Sequence, residues 1–244
     1  GHKWYRRHYA DVSDQTAIGD ISPSYMVFPE ALYRIHAWNP KAQLIFSFRN
    51  PVERAYSHYC MHLRGGIVGK DISNEINLDT RYVREGLYFQ HLSRFLEYFS
   101  EESILVLIYD DLVKAPRQYL QQVFSFLRVD PTFEPMMLNK RYHNRKPIPR
   151  FLKIYNLVIK IVRHARYHSK IARSLIENGR RKGYFNFVHQ INAGEDFPKL
   201  PPLKQKELAE YYWADLLALG NWLNRDLSHW LTPYLKLGAR NHKI

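Results

Sequence analysis

The 244-residue chain has a single cysteine, Cys60. A lone cysteine excludes an intrachain disulfide and favours a reducing compartment, so a cytoplasmic location is expected ahead of the Golgi lumen. Its plainest role is that of a small buried hydrophobe. No Cys/His spacing has the form of a zinc site, and no metal is expected. No apolar run approaches the ~20 residues that cross a bilayer, so no transmembrane segment is expected. The opening Gly1-His2-Lys3-Trp4 is charged and aromatic, unlike a signal peptide, and a Gly start without Met reads as a chain that begins after its natural start. Internal repeats and low-complexity runs are also missing. Acids are scarce: 23 Asp and Glu face 36 Lys and Arg, a net charge of +13. That balance suits anionic partners, whether a nucleotide, an acidic glycan, a nucleic acid or a membrane surface. The charge is uneven, because residues 140–182 hold fourteen lysines and arginines with Glu177 the only acid. Part of that stretch is amphipathic (Phe151, Leu152, Ile154, Leu157, Val158, Ile161). A solvated basic face and an anion- or membrane-facing surface both fit it.

Enough is present for one sizeable core. Hydrophobic residues make up 45% of the chain, and a single domain over residues 1–244 is the expectation. The most informative segment is Gln43-Leu-Ile-Phe-Ser-Phe-Arg49-Asn50-Pro51-Val-Glu53-Arg54-Ala-Tyr-Ser57-His-Tyr59. Its apolar first part reads as a buried strand. Asn50 then reads as an N-cap, Pro51 as the first helical residue and Glu53 as the third position of a capping box. A helix start at the carboxyl end of a strand, with free N–H groups and the positive end of the dipole, is an anion site, and Arg49 stands at its mouth. Val52, Ala55, Tyr56, Tyr59, Cys60 and Leu63 form one core-facing stripe of the helix. Ser57 lies off it, towards Arg54 and Met61. Its hydroxyl suits a phosphate oxygen, although an ordinary exposed Ser beside a solvated Arg fits the same pattern.

The rest of the chain alternates. Residues 3–9 read as helix, Thr16–Asp20 as a short strand, and Pro29 to about Trp38 as helix. The strand at 43–48 and helix at 51–64 follow, ended by Gly65-Gly66. Residues 65–84 read as loop, 86–99 as helix, 103–109 as strand and 116–127 as helix. Beyond Asp130-Pro131 helices are expected at 150–162, about 169–181 and 203–218, then a short segment from Gly220 to Trp230. This order implies an α/β fold with a parallel sheet flanked on both faces by helices and a helix-rich C-terminal half. Ligands of such sheets bind beyond the strands' carboxyl ends, where Asp20, Arg49 and Asp110 would gather.

Arg49-Asn-Pro-Val-Glu-Arg-Ala-Tyr-Ser57-His-Tyr resembles the 3′-phosphate-binding motif of sulfotransferases that use 3′-phosphoadenosine 5′-phosphosulfate (PAPS), in the heparan-sulfate-like and bacterial branches. Other segments resemble that family in order. They are Gly19-Asp20-Ile-Ser22-Pro23-Ser-Tyr25, Gly86-Leu-Tyr88-Phe-Gln-His-Leu92, the strand ending in Asp110-Asp111-Leu112, and Leu219-Gly220-Asn-Trp222-Leu-Asn-Arg225-Asp226-Leu227-Ser-His-Trp230. Together they span roughly residues 4 to 231. The resemblance implies a P-loop nucleotide-kinase-like sulfotransferase fold, PAPS as donor without a metal, and a hydroxyl- or amine-bearing acceptor, with carbohydrate among the candidates. It implies Asp20 as the base that takes the acceptor's proton, and Arg49 and Ser57 as ligands of the donor's 3′-phosphate.

His62 and His91 are further candidates near the acceptor, each with a structural reading beside the catalytic one. Arg84 and Tyr88 are also cleft candidates, Tyr88 fitting equally as a core residue. A turn-capping role remains open for Asp20, whose side chain is a methylene shorter than the family's more usual Glu. Two departures stand out. The family's 5′-phosphosulfate loop should precede Trp4, and Ile21 stands where many members have Lys; a shortened chain is the expected explanation. Residues 192–198 lack the disulfide-clamped Lys-Gly-Arg loop of the glycosaminoglycan enzymes, which favours a bacterial-type relative. The alternatives are a non-catalytic nucleotide- or polyanion-binding member of the fold, and a basic nucleic-acid-binding module, for which no motif is present.

Overall fold

The computed structural model describes residues 2–7, 9–10, 12–136, 138, 148–181, 192 and 194–236. Its elements in chain order are α1 (His2–Arg7), α2 (Pro29–Trp38), β1 (Leu44–Phe48), α3 (Pro51–Arg64), α4 (Ile72–Glu75), α5 (Arg81–Arg84), α6 (Tyr88–Leu96), β2 (Ile104–Ile108), α7 (Tyr109–Lys114), α8 (Pro116–Phe126), α9 (Leu152–His168), α10 (Lys170–Arg181), α11 (Pro202–Trp222) and α12 (Thr232–Leu235). Contacts divide the chain into two compact units, residues 1–49 with 90–140, and residues 50–89 with 141–244.

In the first unit β1 and β2 pair in parallel, from Leu44 opposite Ile104 to Phe48 opposite Ile108. Parallel pairing requires a crossover, and the chain between the strands supplies it. Successive strand residues face opposite sides. Phe46 sets its ring 5.2 Å from Phe95 of α6, and Ser47 on the other side hydrogen-bonds the Tyr119 hydroxyl of α8 at 2.8 Å. The parallel sheet is therefore flanked by helices. It has two strands among the described residues. Thr16–Asp20, expected as a strand, is irregular and exposed throughout; among the described residues no neighbouring strand offers it a ladder, and without one extended backbone is not held. Ile45 keeps 39% of its surface exposed, so the cover over that face is thinner than expected.

In the second unit α3 realises its stripe. Val52, Ala55, Tyr59, Cys60 and Leu63 are buried, and the Tyr56 hydroxyl donates to Pro198 O at 2.9 Å. Each fully buried large apolar side chain contributes about 1.5–3 kcal/mol. The helix ends at Gly65, and Gly66 adopts φ +67, a left-handed conformation that favours glycine. The expected loop at 65–84 is instead partly helical, because Ile72, Ile76, Tyr82 and Val83 are buried and pin α4 and α5. Leu208, Ala209, Tyr212, Leu216 and Leu219 of α11 are buried. The Tyr212 hydroxyl donates to Val83 O at 2.8 Å.

Candidate functional site

The turn after β1 follows from its residues. Phe48 is buried as the last strand residue, and the helix begins at Pro51. Asn50 accepts from the backbone N–H groups of Val52 at 3.0 Å and Glu53 at 3.2 Å, its Oδ1 serving both. The Arg54 N–H is also used, donating to Asn50 O at 3.0 Å. Pro51 has none to offer. The first turn of α3 thus has its donors satisfied internally, which corrects the expectation of free N–H groups. An anion there would be held by side chains and the helix dipole. Glu53 is exposed, and among the described residues it does not close the reciprocal half of a capping box. Asn50 Nδ2 donates to Trp230 O at 2.7 Å, fixing the helix start to the C-terminal segment.

The four candidate residues divide between the two units, two in each. Arg49 is half-buried directly after β1. Because Phe48 lies opposite Ile108, the chain ends of β1 and β2 are side by side, and Arg49 and Asp110 follow them at the same end of the sheet. Asp20 also belongs to this unit, in an exposed segment. Its Oδ2 accepts from the Tyr25 hydroxyl at 2.6 Å and lies 3.5 Å from the Tyr5 hydroxyl. Tyr5 is in turn 3.0 Å from the Tyr9 hydroxyl. The bond to Asp20, with burial, pushes the Tyr25 phenol up to about 12, so it stays a proton donor to that carboxylate at neutral pH.

Ser57 and His62 belong to the other unit, both on α3 and both half-buried. Five residues apart, they point to different sides of the helix. The His62 ring lies 4.5 Å from His58 and 5.8 Å from Tyr82. Burial, reinforced by His58, pulls its imidazole below the usual range. That favours the neutral form, which can accept a proton. Of the weaker candidates, His91 is hydrogen-bonded to Arg94 Nη2. Arg84 is exposed. Tyr88 is 3% exposed and serves the core.

Sequence reasoning missed a charged cluster beside Ser57. Glu85 lies 3.3 Å from Arg54 Nη1, 3.2 Å from His58 Nδ1 and 2.7 Å from Arg81 Nε. Burial pushes its carboxyl up, but the hydrogen bonds from His58 and Arg81 and the charges of His58 and Arg54 outweigh it and hold it at about 2. Arg54 also donates to Tyr82 O, so it is a half-buried tie rather than the solvated side chain its position suggested. The signal was available in the Arg81/Glu85 and Arg54/His58 spacings of four. No group of three or more His, Cys, Asp or Glu that could hold a metal occurs among the described residues. No described helix is long and apolar enough to cross a membrane.

Comparison with known proteins adds an independent line. Heparan sulfate glucosamine 3-O-sulfotransferase 5 of Homo sapiens is 31% identical over 147 residues, 54% of this chain and 41% of that protein. Heparan sulfate glucosamine 3-O-sulfotransferase 6 of Homo sapiens is 33% identical over 135 residues, 52% of this chain and 40% of that protein. The chain thus spans about two fifths of these curated relatives. A sulfotransferase from Alicyclobacillus acidocaldarius shares the fold, with a TM-score of 0.65 at 19% identity over 94% of this chain and 74% of that one. The model of the sulfotransferase domain matches residues 20–146, a little over half of the sequence and a range that includes Asp20, Arg49, Ser57 and His62. The chain belongs to the sulfotransferase domain family.

Proposed function

We propose that this protein transfers a sulfuryl group from PAPS to a hydroxyl or amine of a carbohydrate acceptor. The observation that carries the reading is local: the chain leaves β1 at Phe48, passes Arg49 and enters a helix capped by Asn50. This is the arrangement the Arg-Asn-Pro motif calls for. The residues present suit the donor's 3′-phosphate: a guanidinium at Arg49 forms charge-assisted bonds to phosphate, a hydroxyl at Ser57 donates another, and the α3 dipole favours the negative charge. The bound donor supplies an activated sulfuryl group. The acceptor oxygen or nitrogen forms a bond to sulfur as sulfur parts from the 5′-phosphate oxygen. In this reading Tyr25 and Tyr5 converge on Oδ2 of Asp20, and Oδ1 takes the acceptor's proton. Neutral His62 is the second candidate for proton transfer. No metal is assigned a role.

The carbohydrate acceptor rests on the substrate for which the relatives are named and on the net charge of +13, which suits an acidic glycan. The family match runs through segments of both units, which supports one sulfotransferase domain over residues 1–244. A buried free Cys60 fits a reducing compartment, and the cytoplasm is the location we assign. The test is sulfate transfer from labelled PAPS to a panel of desulfated glycans. Asp20→Asn should lower turnover about 10²- to 10⁴-fold while leaving adenosine 3′,5′-bisphosphate binding intact. Full turnover in that variant removes Asp20 as base; no transfer to any glycan by the unaltered protein removes the acceptor class.

A further inference from the structure

Helix α9 carries more aliphatic surface than its contacts with the protein cover. One side meets the protein, where Leu152, Tyr155, Asn156, Ile159 and Val162 are half-buried, Arg64 Nη2 donates to the Tyr155 hydroxyl at 3.0 Å, and Asn156 Nδ2 donates to Gly65 O at 2.9 Å. A second, aliphatic side meets solvent. Ile154, Leu157, Val158 and Ile161 recur at i, i+3, i+4 and i+7, one continuous stripe, and they are 63%, 58%, 49% and 58% exposed. No residue of α9 is fully buried. Helix α10 packs against α9, with Arg166 Nη2 4.0 Å from Glu177 Oε1. It adds Ile171 and Leu175, four apart and 75% and 66% exposed. An aliphatic surface of this extent is rare on a protein that meets only water.

The charge around the stripe names its occupant. Residues 150–181 carry nine lysines and arginines against Glu177 alone. Lys153 and Lys160, both exposed, fall about a quarter turn from the centre of the stripe. Exposed Arg163, Arg166 and Arg173 lie further round the hairpin. Aliphatic side chains bordered by long cationic ones match a bilayer interface: the apolar stripe enters the acyl boundary, and the lysines extend to anionic headgroups. A second copy of the chain fits poorly, since the same cations would face each other. A nucleic acid gains nothing from an aliphatic stripe, which offers no ring for a base to stack on. We propose that the α9–α10 hairpin docks the protein peripherally on an anionic lipid surface. This assignment stands apart from the sulfotransfer reading and does not depend on it.

The test is co-sedimentation with vesicles of phosphatidylcholine alone and of an equal mixture of phosphatidylcholine and phosphatidylglycerol. The protein should bind the mixed vesicles, bind phosphatidylcholine weakly, and lose binding as salt is raised. Leu157→Asp with Ile161→Asp should weaken binding to the mixed vesicles by about tenfold or more. Lys153→Glu with Lys160→Glu should weaken it by about fivefold per residue. These side chains are exposed, so circular dichroism and thermal midpoint should match the unaltered protein. Three results overturn the proposal. One is no binding to anionic vesicles. Another is binding unchanged in the Leu157/Ile161 variant, which leaves only charge adsorption. The third is a dimer or a DNA complex that is lost in that same variant.

Discussion

The Tyr25 hydroxyl donates a 2.6 Å hydrogen bond to Asp20 Oδ2. The bond orders an otherwise irregular, exposed segment at the residue proposed as the base. Tyr25→Phe should therefore reduce turnover about ten- to hundredfold by misplacing the carboxylate, with nucleotide binding unchanged. A kcat loss at constant bisphosphate affinity is the expected signature. An unaffected kcat would show that this bond does not position the reacting group.

Glu85 predicts an acid dependence. Its carboxyl falls from 4.5 to about 2 in the folded protein, so its stabilisation is complete above about pH 4.5 and is lost as pH falls towards 2. Glu85→Gln should lower stability at pH 7 and flatten the pH dependence between those values. Denaturant titrations at several pH values measure both effects.

Asn50 works in two directions, as acceptor to Val52 and Glu53 and as donor to Trp230 O. Asn50→Ala loses both, costing about 2 kcal/mol. Asn50→Asp keeps the cap and loses the donor, so it should fall between the two in chemical denaturation. Equal losses in the two variants would mean that the cap contributes nothing.

Gly86 has a packing reason to be glycine. A Cβ there would lie 2.8 Å from the Tyr212 ring, and Tyr212 is held by its bond to Val83 O. Gly86→Ala should destabilise the protein by about 1–3 kcal/mol through overpacking. Gly86→Ala with Tyr212→Leu should recover part of that loss, read as a thermal midpoint.

Helix α3 was legible to the residue because three independent signals agree there: Asn50-Pro51 at its start, one apolar stripe along it, and Gly65-Gly66 at its end. Strands β1 and β2 were equally plain as short apolar runs. The Thr16–Asp20 strand failed because a strand is a pairing, and pairing is not written in five residues. Helices α4 and α5 were hidden because four-residue helices have no period to detect; their isolated apolar residues were the only trace. Helix α7 was read as the end of a strand because Ile108 passes into it without a capping side chain. At the site, the residue types were readable, but the use of the first-turn N–H groups was not, since one Asn50 side chain satisfies two of them. The exposure of the α9 stripe was left open by the sequence, because a helical stripe does not say which way it points.

The central claim is a nucleotide site at the start of α3, and isothermal titration with adenosine 3′,5′-bisphosphate tests it most directly. The account predicts micromolar binding by the unaltered protein, weakened at least about tenfold in Arg49→Ala, a loss of one charge-assisted contact. Binding that is absent, or equal in the two proteins, would contradict it.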